Sequence, residues 1–430
     1  YEFIRLHAMG GIGRIWLAHD KMLDRNVALK DLRPELGKDR GLSARFLQEA
    51  RITGQLDHPG IIPVYELARR PGCGEPFYTM RFVSGRTLSK AARDYHDSRI
   101  SARTTNFDLL ELLNAFVTVC KTIAFAHSRG IVHRDLKGHN VVLGDFGEVV
   151  VLDWGLAKQI SEHDSDVQES VDLDQDFMRS SNSNFTIPGQ ALGTPAYMAP
   201  EQAAGHLKRI NHLTDVYGLG AILYEILTGR PPFSGSDSNE VLHKIQHEDI
   251  TPPSHIWSEV PMPLDVACMR ALAKDPENRF ASANEFAKAV EQWQEIERER
   301  AQLALEASES LYHSLVETIP MNVWRKDEEH RFTFANSGFC QATHRTLDQL
   351  LGRTDFDLFP RALAEKYRRD DEQVVATGQT FDAIEQHQTA DGNKLYVRVI
   401  KVPIRNADNT IVGTQGIFWD VSARQCLEEA

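Results

Sequence analysis

Eight consecutive residues, His133-Arg134-Asp135-Leu136-Lys137-Gly138-His139-Asn140, set a carboxylate, an ammonium group and a carboxamide within six positions of one another. Such a set suits phosphoryl transfer, where little covalent chemistry falls to the protein and positioning and charge stabilisation do most of the catalysis. Asp135 would accept or orient the proton of an attacking hydroxyl, Lys137 would neutralise charge on the moving phosphoryl group, and Asn140 would offer its amide oxygen to Mg²⁺. Thirteen residues beyond Asn140 stands Asp153-Trp154-Gly155, preceded by the apolar run Val149–Leu152. A carboxylate at a strand end can reach a metal that bridges phosphates, so Asp153 is the second metal candidate.

Two upstream motifs fit the same chemistry. Ala8-Met9-Gly10-Gly11-Ile12-Gly13-Arg14-Ile15 matches G-x-G-x-x-G-x-V at Gly10 and Gly13, with Ala8 at the first glycine. Glycines let the backbone fold closely over phosphates, and one methyl group need not block that. Val27-Ala28-Leu29-Lys30 ends in a lysine that would hold the α- and β-phosphates, and Glu49 in Arg45–Ala50 is its matching partner. A buried Lys–carboxylate pair is costly unless it serves a ligand; a solvated surface pair is the alternative. Downstream, Glu201 in Ala199-Pro200-Glu201 and Arg279 in Asp275–Arg279 suit a structural ion pair. Asp215, in Asp215–Gly220, suits a role holding the catalytic-loop backbone.

These residues need a scaffold, and 430 residues are too many for one core, so two or three domains are expected. A hydrophobic fraction of 42% with 25% charged residues is that of a soluble globular protein. The net charge of -13 argues against a general nucleic-acid or anionic-membrane binder. The five cysteines are odd in number, far apart and without metal-ligand spacing, which points to a reducing cytoplasm. Leu109–Ala126 is apolar but interrupted by Glu111, Asn114 and Lys121, and reads as a buried helix rather than a membrane segment. There is no signal peptide, and the chain reads as a fragment of a longer protein, in which an anchor could lie elsewhere.

Strand-like Val27–Leu32 and Phe77–Val83 flank a helical pattern over Ser43–Leu56, and from Phe107 to Trp293 helical periodicity dominates. A strand-rich lobe followed by a helix-rich lobe is an α+β arrangement whose cleft can hold a ligand. Between Ser161 and Asp176 stand five Asp and two Glu with no Lys or Arg, then a Ser/Asn-rich stretch, together a solvated insertion over 161–184. Glu291–Ser310 has no Gly or Pro and only a ragged heptad, and is expected to be a linker helix able to pair weakly. Beyond Tyr312, strands are predicted at Arg331–Ala335, Leu395–Val402 and Ile411–Asp420, with turns at Asp391-Gly392 and Asn406–Asn409 and helices after the first strand.

Over residues 1–293 these motifs resemble the eukaryotic-type serine/threonine protein kinases of bacteria, and His127–Val132 with Val141–Lys158 look like the multidomain kinases of planctomycete-type bacteria. The resemblance implies the bilobal kinase fold, with ATP and Mg²⁺ (or Mn²⁺) as cofactors and protein Ser/Thr hydroxyls as acceptors. It implies Asp135, Lys137, Lys30 and Glu49 as catalytic residues, and Asn140 and Asp153 as metal ligands. It further implies a nucleotide pocket from Leu6, Ala8, Gly10, Gly11, Gly13, Ile15, Ala28, Lys30, the gatekeeper Met80 and the hinge residues Arg81 to Val83. Lys137 and Gly193-Thr194-Pro195 favour Ser/Thr over Tyr, with Thr194 in substrate docking and bonded to Asp135 and Lys137.

Arg134, directly before Asp135, reads as an unpaired cation on which a phosphate could dock; Thr186 is the leading regulatory acceptor, with Ser180, Ser181 and Ser183 behind it. Residues 311–424 resemble a PAS sensor domain through Ile319-Pro320, Phe334-Ala335-Asn336, Gly352–Asp357 and Gly413–Val421, with 294–310 as the helical linker. That fold can enclose haem, flavin or a metabolite, or simply dimerise. Cys340 is not in a light-sensing context, the Leu363–Thr377 helix lacks a haem-ligand His, and His330, His344 and His387 read as surface residues, so the ligand is unknown. Two other readings stand beside a regulated kinase: a pseudokinase scaffold, favoured only by Ala8 and Trp154, and a C-terminal domain that merely dimerises.

Overall fold

Branched and aromatic residues dominate the N-terminal part of the chain and place it in a five-stranded antiparallel sheet. Its strands are β1 (Glu2–Met9), β2 (Gly13–Asp20), β3 (Arg25–Leu32), β4 (Val64–Arg69) and β5 (Pro76–Arg81), in the order β1-β2-β3-β5-β4. Helix α1 (Arg40–Gln55) packs on this sheet through Phe46 and Ala50. It starts earlier than the periodicity suggests because the Asp39 side chain accepts the Gly41 and Leu42 N–H groups. In the computed structural model, residues 1–36, 39–72, 74–100, 106–159, 195–388 and 394–423 are described. They form two compact units, Tyr1–Arg298 and Glu299–Ala430.

The rest of the first unit is mostly helical. After the short strand β6 (Gly85–Thr87) come α2 (Leu88–Ile100) and α3 (Asn106–Ser128), then β7 (Ile131–Val132), β8 (Val141–Gly144), β9 (Val149–Val151) and β10 (Lys158–Gln159). Helices α4 (Pro200–Ala203), α5 (His212–Thr228), α6 (Ser238–His247), α7 (Pro253–Ile256) and α8 (Met262–Ala271) complete the lobe. Among the described residues α3 alone is long and apolar enough to cross a membrane. Here Leu113, Phe116, Val119, Cys120 and Ile123 of α3 are buried in one core with Leu219, Ile222 and Leu223 of α5. Gly229 ends α5 at φ 76, the left-handed position a helix terminus favours for glycine.

Helix α9 runs unbroken from Ala283 to Thr318. The linker expected over 294–310 is therefore the interior of a longer helix, which contains the boundary between Arg298 and Glu299.

The second unit is a five-stranded sheet, β12-β11-β15-β14-β13, with four helices inserted between its second and third strands in sequence. These are β11 (Asn322–Lys326), β12 (Phe332–Ala335), α10 (Ser337–Ala342), α11 (Leu347–Leu350), α12 (Asp355–Leu358), α13 (Arg361–Thr377), β13 (Phe381–Gln388), β14 (Lys394–Arg405) and β15 (Ile411–Asp420). Strand β13 was not foreseen, because its sheet face carries Glu385 beside Phe381 and Ala383, which weakens the alternation. Trp324, Phe332, Phe339, Leu350, Leu358, Val397 and Val399 form its core. Gly416 faces Trp324 across the β11–β15 ladder; a Cβ there would lie 2.1 Å from the indole. The expected Asp391-Gly392 turn lies outside the described residues.

Candidate active site

The catalytic-loop octet leaves β7 and is held from beneath by α5. Both oxygens of the buried Asp215 accept backbone N–H groups, from His133 and from Arg134, each at 2.8 Å. His127 Nε2 lies 2.7 Å from the same carboxylate, a partner sequence reasoning missed. Burial pushes the Asp215 carboxyl up, but His127 and the backbone bond outweigh it and hold it below its usual range. Arg134 takes φ 66, directly before Asp135.

Around Asp135 the geometry is close. Lys137 Nζ donates to Asp135 Oδ2 at 2.8 Å, and Asn140 Nδ2 donates to the Asp135 carbonyl at 3.0 Å and to Oδ2 at 3.3 Å. With both amide hydrogens spent on Asp135, the Asn140 amide oxygen is left as the acceptor available to a metal. The Leu152 N–H donates to the Asn140 carbonyl at 2.7 Å, which ties the loop to the strand end carrying Asp153. Asp153 sits at φ 59. Burial pushes its carboxyl up, but Lys30, then Lys137 and His133, hold it below its usual range, so it is a stable anion. Trp154 is 1% exposed and its ring lies 4.6 Å from that of His133. The aromatic that departs from the usual Asp-Phe-Gly is thus packed inside the lobe.

Lys30 and Glu49 meet inside the strand-rich lobe. Lys30 Nζ donates to Glu49 Oε1 at 2.5 Å, and both residues are largely buried, so the solvated alternative does not hold. Burial pushes the Lys30 ammonium down, but Glu49, Tyr78 and Asp153 carry it well above its usual value. Tyr78 also donates to Glu49 Oε1, at 2.7 Å; sequence reasoning passed over it because a Tyr in a strand reads as core.

Gly10 N–H donates to the Gly13 carbonyl at 2.8 Å, closing the turn that contains Gly11. A Cβ on Gly13 would come 2.9 Å from the Asp31 carbonyl, which explains that glycine. Ala8 pairs with Ile15 in the β1–β2 ladder and is exposed, as is Leu6. Ala28 and Met80 are register partners, both buried, with Ile15 and Val83 packed on the same cluster, while Arg81 pairs with Glu148.

Glu201 and Arg279 form a bidentate pair at 2.8 Å for both bonds, fully inside the helical lobe. One expectation is corrected. Arg134 is not an unpaired cation: its Nε donates to the Leu156 carbonyl at 2.6 Å, in the turn between β9 and β10, from a left-handed backbone at φ 66. Thr186, Thr194, Ser180, Ser181, Ser183 and the acidic run lie outside the described residues.

The second unit carries a buried ionic cluster that the sequence did not announce. Lys326 Nζ donates to Asp355 Oδ2 at 2.6 Å and to Asp371 Oδ2 at 2.7 Å, and Lys401 Nζ donates to Asp371 Oδ1 at 2.7 Å. All four side chains are at most 3% exposed. Burial pushes the Asp355 carboxyl up; Asp371 is pushed up by burial too, but His330 and the two lysines hold it far below its usual range. His330 is therefore no surface residue: it is buried, 3.9 Å from Asp371, because a left-handed turn at φ 60 folds it inward. His344 is exposed as expected, and the His387 side chain is outside the described set. Among the described residues Cys120, Cys268 and Cys340 are free thiols, and no group of three or more His, Cys, Asp or Glu could hold a metal.

A two-lobed unit with Asp135, Asn140, Asp153 and a Lys–Glu pair in this arrangement defines a protein kinase domain. The protein kinase domain family matches residues 1–335, and the PAS fold family matches residues 316–425. The chain belongs to the protein kinase family, and its C-terminal unit is a PAS domain. Similar curated proteins include serine/threonine-protein kinase PknD of Protochlamydia amoebophila, 36% identical over 300 residues, which are 69% of this chain and 30% of that protein. PknD of Chlamydia felis is 38% identical over 299 residues, 68% of this chain and 31% of that protein. The chain thus spans less than a third of the length of these relatives. A crystal structure of the Mycobacterium tuberculosis PknI kinase domain is 24% identical with a TM-score of 0.47, covering 67% of this chain and 94% of that one. The family uses ATP and a divalent metal, and acts on protein substrates.

Proposed function

We propose that residues 1–293 transfer the γ-phosphoryl group of ATP to serine and threonine hydroxyls of proteins, the chain itself among them. The observation that carries this reading is the approach of Lys137 and Asn140 to the Asp135 carboxylate within 2.8 and 3.3 Å, beside an Asp153 kept ionised by Lys30 and Lys137. Asp135 orients the acceptor hydroxyl and Lys137 offsets charge on the moving group. Lys30, steadied by Glu49, holds the α- and β-phosphates. Asp153 and the Asn140 amide oxygen hold Mg²⁺, or Mn²⁺, a partial donor set that such an ion completes with phosphate oxygens and water. The adenine and phosphates lie among Leu6, Ala8, Gly10, Gly11, Gly13, Ile15, Ala28, Met80, Arg81 and Val83.

Thr194 belongs to substrate docking, and Thr186 is the regulatory acceptor whose phosphate docks on Arg134. Residues 294–310 link the kinase to a PAS module, residues 311–424, that senses a signal or promotes self-association. Free thiols and the acidic balance support a cytoplasmic place and no nucleic-acid partner.

The test is Asp135→Asn, assayed with radiolabelled ATP. kcat is expected to fall by roughly 10²–10⁴ while Mg-ATP still binds, the size of a general-base contribution. Near-normal autophosphorylation in that variant overturns the assignment.

A further inference from the structure

In the N-terminal sheet, Lys30 on β3 and Tyr78 on β5 are register partners and face the same side. Both donate to a single atom, Glu49 Oε1 on α1, the ammonium at 2.5 Å and the phenol at 2.7 Å. The Tyr78 ring lies 5.2 Å from that of Phe46, one turn before Glu49 on the same helix, and Lys30 Nζ stands 5.8 Å above it. Tyr78 is 2% exposed, so its hydroxyl has no water to fall back on and Glu49 is its acceptor. We propose that Tyr78 is a positioning residue for phosphoryl transfer: its hydroxyl fixes the Glu49 carboxylate, and with it α1, independently of Lys30.

The chemistry gives the hydroxyl a purpose that packing alone would not. This inference rests on the reading that Lys30 binds phosphates. When phosphates engage Lys30, its three hydrogens are shared between them and Glu49, and the pull on Glu49 weakens. A carboxylate left in a dry pocket with a weakened partner would swing toward solvent and take α1 with it. The phenol supplies a second donor that no nucleotide competes for. A hydrogen bond to a charged group in such a pocket is among the stronger ones. Burial, aided by Glu49, outweighs the opposing charge of Lys30 and pushes the Tyr78 phenol well above its usual range, so it stays a donor at every working pH.

The experiment is a double-mutant cycle on the full chain, following autophosphorylation with radiolabelled Mg-ATP. Tyr78→Phe keeps the ring on Phe46 and removes only the donated bond. Its kcat is expected to fall about tenfold or more, with KM for ATP changed less than about threefold and the melting temperature nearly kept. In a Glu49→Gln background, itself impaired, Tyr78→Phe is expected to cost less than about twofold further, because the charge it holds is gone. If Tyr78→Phe turns over at the wild-type rate while Glu49→Gln is impaired, the inference falls and the Lys30–Glu49 reading stands. Equal loss in both backgrounds also overturns it, because the hydroxyl then acts elsewhere than on Glu49. Wild-type turnover in Glu49→Gln overturns the reading of the pair itself.

Discussion

Two non-glycine residues at positive φ, Arg134 at 66° and Asp153 at 59°, stand at the two ends of the segment that carries Asp135, Lys137 and Asn140. Each left-handed residue costs of order 1–3 kcal/mol and persists only where neighbours fix it. Here the neighbours are Asp215, which takes the Arg134 N–H, and Trp154, buried against His133. Asp153→Asn keeps the shape but removes the anion that Lys30 and Lys137 face; kcat is expected to drop at least a hundredfold, and Mg²⁺ titration of the residual activity is expected to half-saturate at a higher Mg²⁺ concentration than in the wild type. The octet around Asp135 was legible because its members must follow a strict order. His127 and Tyr78 were not, since a His on a helix and a Tyr in a strand have ordinary structural uses.

At the scale of elements, the buried ions test what holds each unit together. Glu201 lies between Arg279 and Thr214, and although burial pushes its carboxyl up, Arg279 holds it below its usual range. Its stabilising contribution is present above the unfolded value near 4.5 and is lost as pH falls through the lower folded value. Glu201→Gln strands a buried guanidinium and is expected to destabilise the helical lobe by about 3–5 kcal/mol, read in denaturant unfolding at pH 7. In the PAS unit Asp371 bridges Lys326 on β11 and Lys401 on β14 from α13. Asp371→Asn leaves both lysines short of countercharge, and hydrogen exchange is expected to quicken across β11 and β14 while the kinase core keeps its protection. Neither lysine was readable as buried, because a lysine in an alternating strand normally faces water. Strand β13 was hidden for the same reason, its inner Glu385 pairing with Lys366 of α13.

For the whole molecule, the order of the two domains was plain in the sequence, and α9 runs across the boundary between them without a Gly or Pro. Leu303, Leu311 and Leu315 are exposed along this helix, at 64%, 62% and 55%. Pairing of two chains through that stretch or the PAS domain would hold two kinase domains at high effective concentration and favour phosphorylation in trans. A phosphate on Thr186 adds about -1.5 to -2 charge and strong acceptors, which an arginine fork can pair with. The acidic run before Thr186 opposes this, so Arg134 must win at a separation well inside the Debye length of about 8 Å. Two measurements bear on it. After incubation with Mg-ATP, phosphate is expected on Thr186, and Thr186→Ala is expected to act more slowly. Deleting residues 311–430 is expected to slow autophosphorylation most at low protein concentration, where chance encounters no longer replace tethered ones. Phosphate confined to sites outside 180–194, with Thr186→Ala fully active, would refute the activation scheme. A rate per chain that does not depend on concentration, in both the full chain and the truncated one, would refute transfer in trans.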